Sequence, residues 1–110
     1  MTLAQAFQEK AIQNAQTAML AHGCPTKRLI SNLQAYGGIE TLRELAGKHR
    51  VSDGFDALVK CGHLELTPEA LAVQGKYGSL FTDEEVNWWL EVLVEAGYFS
   101  SLSTNYGGTL

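Results

Sequence analysis

The chain has 110 residues, 45% of them hydrophobic and 18% charged, with 11 Gly, 2 Pro and 2 Cys. That length and apolar fraction fit one compact soluble domain, large enough to bury a core without metal or disulfide staples and too apolar for a disordered chain. Eight Lys and Arg against twelve Asp and Glu leave a formal net charge of −4, which disfavours a protein whose main task is to coat nucleic-acid phosphates, since that work needs a strong positive field.

Thr2 with Gln5 three residues later is a capping-box pattern, and Leu3, Phe7, Ala11, Ala15 and Met19 then recur at helical spacing until His22-Gly23. The other faces of this first helix carry Gln5, Gln8, Glu9, Gln13, Asn14 and Gln16. Being mostly alanine and amide, it offers little large apolar surface and reads as a peripheral or dimerising helix. Cys24-Pro25-Thr26 is a break, after which Leu29, Ile30 and Leu33 make a short apolar stripe ending at Gly37-Gly38. A third helix follows, with Ile39, Leu42, Leu45 and Ala46 inward and Arg43, Lys48, His49 and Arg50 around its end, where positive charge suits the helix dipole. Ser52 is placed to cap a fourth segment carrying Phe55, Leu58 and Val59, which Gly62 stops.

Residues 63–66 alternate polar with apolar but have no partner strand, so they read as a connector. Thr67-Pro68-Glu69 combines an N-cap, proline at the first helical position and an acid in the first turn, a strong helix start, with Leu71 and either Ala72 or Val73 facing inward. Residues 76–79 break that helix. Thr82 with Glu85 makes a second capping box and opens the clearest helix of the chain, residues 83–96, closed by Gly97. Beyond Phe99 the small polar and flexible residues predict a loosely held tail. The fold class predicted is all-α: one domain of five or six short helices over residues 1–99, with a flexible tail at 100–110.

No run approaches the roughly 18 uninterrupted apolar residues of a membrane-spanning helix, and residues 1–21 interleave polar side chains with apolar ones, unlike a signal peptide. Cys24 and Cys61 lie far apart with no paired framework around them, usage typical of a reducing cytoplasm; a disulfide between them has no support in the spacing. His22, Cys24, Cys61 and His63 are nevertheless donor types for a two-Cys, two-His zinc site. Each pair has only one intervening residue, and a gap of one demands an extended backbone or a special turn, so no metal and no cofactor is expected.

Residues 41–58 invite a helix-turn-helix reading through the Val51-Ser52 step into the fourth helix. It degrades where the second helix should read DNA: Asp56 occupies the expected apolar position, Asp53 sits at the start, and Lys60 is the one base. Arg43, Lys48 and Arg50 are its candidate nucleic-acid contacts.

On the last helix, stepping residues by about 100° puts Glu84, Glu91 and Glu95 on one stripe with Trp88 and Val92 beside it, opposite a core face of Val86, Trp89, Leu90 and Leu93. A large aromatic next to an acidic ridge suits a protein interface. Charge is split along the chain: residues 1–55 hold six bases and four acids, residues 56–110 two bases and eight acids. An acidic half of this kind matches a basic partner surface. No phosphate-binding glycine loop, nucleophile elbow or metalloprotease helix is present, and a solvated carboxylate stripe lacks the unlike environments that acid-base catalysis needs, so no enzyme is expected.

The run Val51-Ser52-Asp53-Gly54-Phe55 with Leu58, then residues 62–71, residues 80–85 and Gly97-Tyr98, resembles a segment recurring in small uncharacterised bacterial and phage-type proteins. The resemblance covers roughly the second half of the chain, implies a bacterial or mobile-element origin, and implies no site residues, since that group has no assigned activity. The leading expectation is a small cytoplasmic, non-enzymatic protein-binding module, an adaptor or inhibitor, with Trp88, Glu84, Glu91, Glu95 and Val92 as its surface. A phage or mobile-element origin would make a host defence complex its target, by association only. The alternative is a helix-turn-helix-like DNA-binding transcriptional regulator using Arg43, Lys48 and Arg50. A third class, a homodimer, would use the first helix as its seam at Ala11 and Ala15.

Overall fold

A computed structural model describes residues 1–98, which form six α-helices and two 3₁₀ segments, with no strand among them. The helices are α1 (Leu3–His22), α2 (Lys27–Tyr36), α3 (Gly38–Gly47), α4 (Phe55–Cys61), α5 (Pro68–Ala72) and α6 (Asp83–Glu95). The connector expected at 63–66 is a 3₁₀ turn, Leu64–Leu66, and the expected break after α5 is a longer one, Gly75–Leu80. The tail expected at 100–110 lies outside the described residues.

Side-chain caps legible in the sequence set three of the six helix starts, those of α1, α5 and α6. Both capping boxes form: the Thr2 Oγ1 accepts from Gln5 N–H at 3.1 Å while Gln5 Oε1 accepts from Thr2 N–H at 2.9 Å, and Thr82 with Glu85 repeats the exchange at 3.2 and 2.8 Å. Thr67 Oγ1 accepts from Ala70 N–H at 3.1 Å, with Pro68 at the first helical position, as expected for α5. Ser52 departs from expectation. The residue preceding α4 is Gly54, no side chain caps that helix, and the Ser52 hydroxyl is directed instead at Glu69.

The first helix is central, not peripheral. Phe7, Ala11, Ala15 and Ala18, at i, i+4, i+8 and i+11, are all buried, and α1 packs against α2, α3, α5 and both 3₁₀ segments. Its alanines add little apolar area of their own, yet their small size lets neighbouring helix backbones come close, since interaxial distance follows the side chains at the contact. The homodimer seam expected at Ala11 and Ala15 is therefore overturned: these residues are 1% and 0% exposed, inside the core.

Around Phe7 the main core joins Leu29 and Leu33 of α2, Leu42 and Ala46 of α3, Leu71 of α5 and Trp89 of α6. An aromatic relay runs through it. Phe7 meets the rings of Tyr77 and Phe81 edge-on at 5.2 and 5.3 Å between centroids, and Phe81 meets Trp89 at 4.8 Å; such T-shaped pairs add about 0.5–1.5 kcal/mol each beyond their burial. A second cluster (Phe55, Leu64, Ala70, Val92, Leu93) seats α6 on α5, and a third (Ala18, Cys24, Leu58) joins the end of α1 to α4.

One side chain of α1 organises the α2–α3 corner. Gln8 donates through Nε2 to the Leu33 carbonyl at 2.6 Å and accepts through Oε1 from the Gly38 N–H. It thus ties a carbonyl in the last turn of α2, which also accepts from the Gly37 N–H, to an amide in the first turn of α3, a group that helix geometry leaves without an intrahelical partner. Glycine is required at 38 by close approach: a Cβ there would sit 3.0 Å from Gln8 Oε1 and 3.1 Å from Phe7 Cε2.

Candidate functional site

The α6 helix turns Trp89, Val92 and Leu93 into the core and leaves Glu84, Asn87, Glu91, Val94 and Glu95 in solvent. Glu84, Glu91 and Glu95 do share one face, as their spacing predicts, and none of the three makes an ion pair among the described residues. Val94, 59% exposed, flanks this face about 80° from Glu84, on the side away from Trp88. Val92 is a correction. Expected at the partner surface, it is 7% exposed and packs with Phe55, Leu64 and Ala70. At about 80° from Glu84 around the helix it falls inside the sector that α4 and α5 cover, while Trp88, at about 40°, falls on the boundary.

Trp88 is half-buried and held from α3. Its indole N–H donates to the Arg50 carbonyl at 3.2 Å, and its ring stacks on His49 with centroids 4.8 Å apart and planes 28° from parallel. The two contacts are coupled by the way α3 ends. His49 takes the left-handed conformation, φ 53°, and Arg50 N–H returns to the Leu45 carbonyl at 2.8 Å, a reversal in which glycine is the usual residue. A non-glycine residue there carries strain of roughly 1 kcal/mol or more, and the stack on Trp88 supplies a compensating contact. Beside this stack a shallow cleft of about 340 Å³ is lined by Arg43, Glu84 and Glu85 among others.

The three bases proposed for nucleic acid do not form a free basic patch. Arg43 pairs with Glu85 at 3.4 Å and donates to the Leu80 carbonyl at 2.9 Å, and Lys48 pairs with Glu44 at 3.0 Å. Arg50 is exposed, its carbonyl occupied by Trp88. The packing of α3 on α6 thus sets bases of the first half of the chain beside acids of the second, and the charge split seen along the sequence is partly closed in space.

A buried carboxyl went unnoticed in the sequence. Glu69, a first-turn acid by its place in the sequence, is fully buried, and its two oxygens accept from Ser52, one from the N–H at 2.6 Å and one from the hydroxyl at 2.7 Å. Burial pushes its pKa up, and the Ser52 hydrogen bonds oppose that shift only in part. Ser52 and Glu69 clamp the start of the α4 segment to α5. The one local hint was Glu69 inside an otherwise apolar run, Pro68 to Val73.

The His22, Cys24, Cys61 and His63 group does come together, through special turns at Gly23 (φ 68°) and Gly62 (φ 78°). It forms two pairs instead of one shell. The imidazoles of His22 and His63 stack with centroids 3.7 Å apart, and the Cys24 thiol, which donates to the His22 carbonyl at 3.9 Å, lies close enough to Cys61 for the two thiols to influence each other's ionisation. Among the described residues no three His, Cys, Asp or Glu side chains are gathered so as to hold a metal ion, and no helix is long and apolar enough to cross a membrane. Comparison of the chain with protein-family models, with curated proteins and with solved structures finds no match.

Proposed function

We propose that the chain is a non-enzymatic protein-binding module, an adaptor or inhibitor, that presents the acidic face of α6 to a basic surface on a partner protein. The observation that carries this reading is the row Glu84, Glu91 and Glu95, exposed and without ion-pair partners among the described residues, with exposed Val94 alongside. Unpaired carboxylates on a rigid helix raise association rate and select partners by charge, and Val94 with the rim of Trp88 adds apolar area of the kind interface centres use. Trp88 enters as an edge held by His49 and Arg50, not as a free side chain.

The test is a triple charge reversal, Glu84→Lys, Glu91→Lys and Glu95→Lys, which touches no core residue and is expected to leave the melting temperature within a few degrees of wild type. Both proteins serve as bait in host lysate at two salt concentrations, with and without nuclease. The reading predicts a stoichiometric protein partner that survives nuclease, weakens with salt and is lost with the triple variant. Recovery of the same partner by the folded triple variant would refute it, and nuclease-sensitive recovery of DNA would favour the surface around Arg50 instead.

A further inference from the structure

The chain carries the same tripeptide twice in opposite orders: His22-Gly23-Cys24 after the body of α1 and Cys61-Gly62-His63 at the end of α4. In both, the glycine is left-handed and the residue after it sends its N–H back to the last turn, Cys24 to the Ala18 carbonyl at 2.9 Å and His63 to the Leu58 carbonyl at 3.0 Å. The αL conformation is what lets side chains on either side of a single glycine sit next to each other. Because the two tripeptides run in opposite orders, apposing the helix ends brings histidine to histidine and cysteine to cysteine. The rings of His22 and His63 stack at 3.7 Å, and Cys24 shares a buried cluster with Leu58, one helical turn before Cys61 on α4.

We infer that Cys24 and Cys61 are a reversible thiol–disulfide pair, a site of covalent modification by small disulfides of the glutathione class that staples the end of α1 to the end of α4.

The two sulfurs have unlike environments, which assigns their roles. Cys61 is exposed and Cys24 is fully buried. The neighbouring Cys61 thiol, and then burial, push the Cys24 thiol up to about 11. Cys61 is therefore the sulfur that meets the oxidant. As the thiolate it attacks one sulfur of oxidised glutathione, forming a mixed disulfide; the glutathione S–S bond breaks and one glutathione leaves as thiolate, taking up a proton. Cys24 then gives its proton to solvent and attacks Cys61 Sγ, forming the intrachain bond and expelling the second glutathione. The two protein thiols are oxidised and one small disulfide is reduced to two thiols. Once Cys61 is in the mixed disulfide its thiol no longer acts on Cys24, but burial still disfavours the Cys24 thiolate, so the second step is the slower one and speeds as pH rises.

The test exposes the full chain to oxidised glutathione, then measures intact mass, alkylation of the unfolded protein, and melting. The expected product has lost two hydrogens, resists alkylation at both cysteines, and reverts with dithiothreitol. Its closed loop, residues 24 to 61, raises the melting temperature on the order of 10 °C. Cys61→Ser, at an exposed position, abolishes the reaction, while Cys24→Ala stops it at the stable mixed disulfide on Cys61. Accumulation in the wild type of a mixed disulfide that never closes, with Cys24 still alkylatable after unfolding, would overturn the inference, as would modification of Cys24 in the Cys61→Ser variant. The wild-type readout is independent of whether Cys24→Ala folds.

Discussion

Gln8 offers a sharp test of how α1 holds the α2–α3 corner, because one side chain acts there as donor and acceptor at once. Gln8→Ala removes both bonds. The Leu33 carbonyl keeps the Gly37 N–H at 3.0 Å, so its loss is close to one net hydrogen bond, about 1 kcal/mol. Gly38 is buried, and its N–H loses the acceptor that Gln8 provided, at about 1–2 kcal/mol. The sum, about 2–3 kcal/mol, lowers the melting temperature of a domain this size by roughly 10–15 °C. Gln8→Glu separates hydrogen bonding from packing. At neutral pH its carboxylate still accepts from Gly38 at the start of α3 but has no proton for the Leu33 carbonyl, so stability falls between wild type and Gln8→Ala; on acidification the protonated acid donates again and the deficit narrows. The assay is urea denaturation followed by circular dichroism at pH 7 and at pH 4. A Gln8→Ala variant within about 0.5 kcal/mol of wild type, or a Gln8→Glu variant equal to wild type at pH 7, would refute the reasoning.

Three further outcomes are expected. Glu69 has its pKa raised in the folded state, so the folded protein binds more protons than the unfolded chain above the ordinary carboxylate range, and this contribution to stability, full at acid pH, is lost as pH rises through the folded value. Glu69→Gln keeps an acceptor for the Ser52 N–H and a donor for its hydroxyl, so it should match wild type at acid pH and exceed it at neutral pH in a pH series of denaturation curves; a less stable variant at pH 7 would mean that the charged form is preferred. Ala15→Glu places a carboxylate at a position with no exposure and should unfold the domain, at about 3 kcal/mol or more, whereas a folded monomer by circular dichroism and size-exclusion chromatography would restore the dimer-seam reading. His49→Gly relieves the left-handed strain at the end of α3 but loses the stack on Trp88, so it should stabilise by roughly 1 kcal/mol in a Trp88→Ala background and by less in wild type. A double-mutant cycle with no coupling energy would show that the stack does not support His49.

Much of the secondary structure was legible locally. Capping boxes at Thr2 and Thr82, the Thr67-Pro68 start and the glycine stops at 23, 37 and 62 all act over a few residues of backbone, and the structure uses each of them where the sequence placed it. The carboxylate face of α6 was legible for the same reason, since helical periodicity alone puts Glu84, Glu91 and Glu95 together. Val92 was misplaced because periodicity orders residues around a helix without saying how wide a sector its neighbours cover, and Phe55 and Leu64 extend that sector over it. Ser52 was misread because a hydroxyl before a helix satisfies the local capping pattern, while a buried carboxyl seventeen positions away makes the stronger claim on it.

What the sequence by itself determined is the set of helices, the capped starts of α1, α5 and α6, the glycine stops and the solvent face of α6, because these depend on interactions within a turn or two of chain. Tertiary structure alone decided that the alanine-rich α1 is the central helix, that Gln8 closes the α2–α3 corner, that Glu69 is buried on Ser52 and that two reversed tripeptides meet at the ends of α1 and α4. Each of these joins groups far apart in sequence, and their meeting is set by how helices of given girth pack, a property of all the side chains at a contact together and of no single segment.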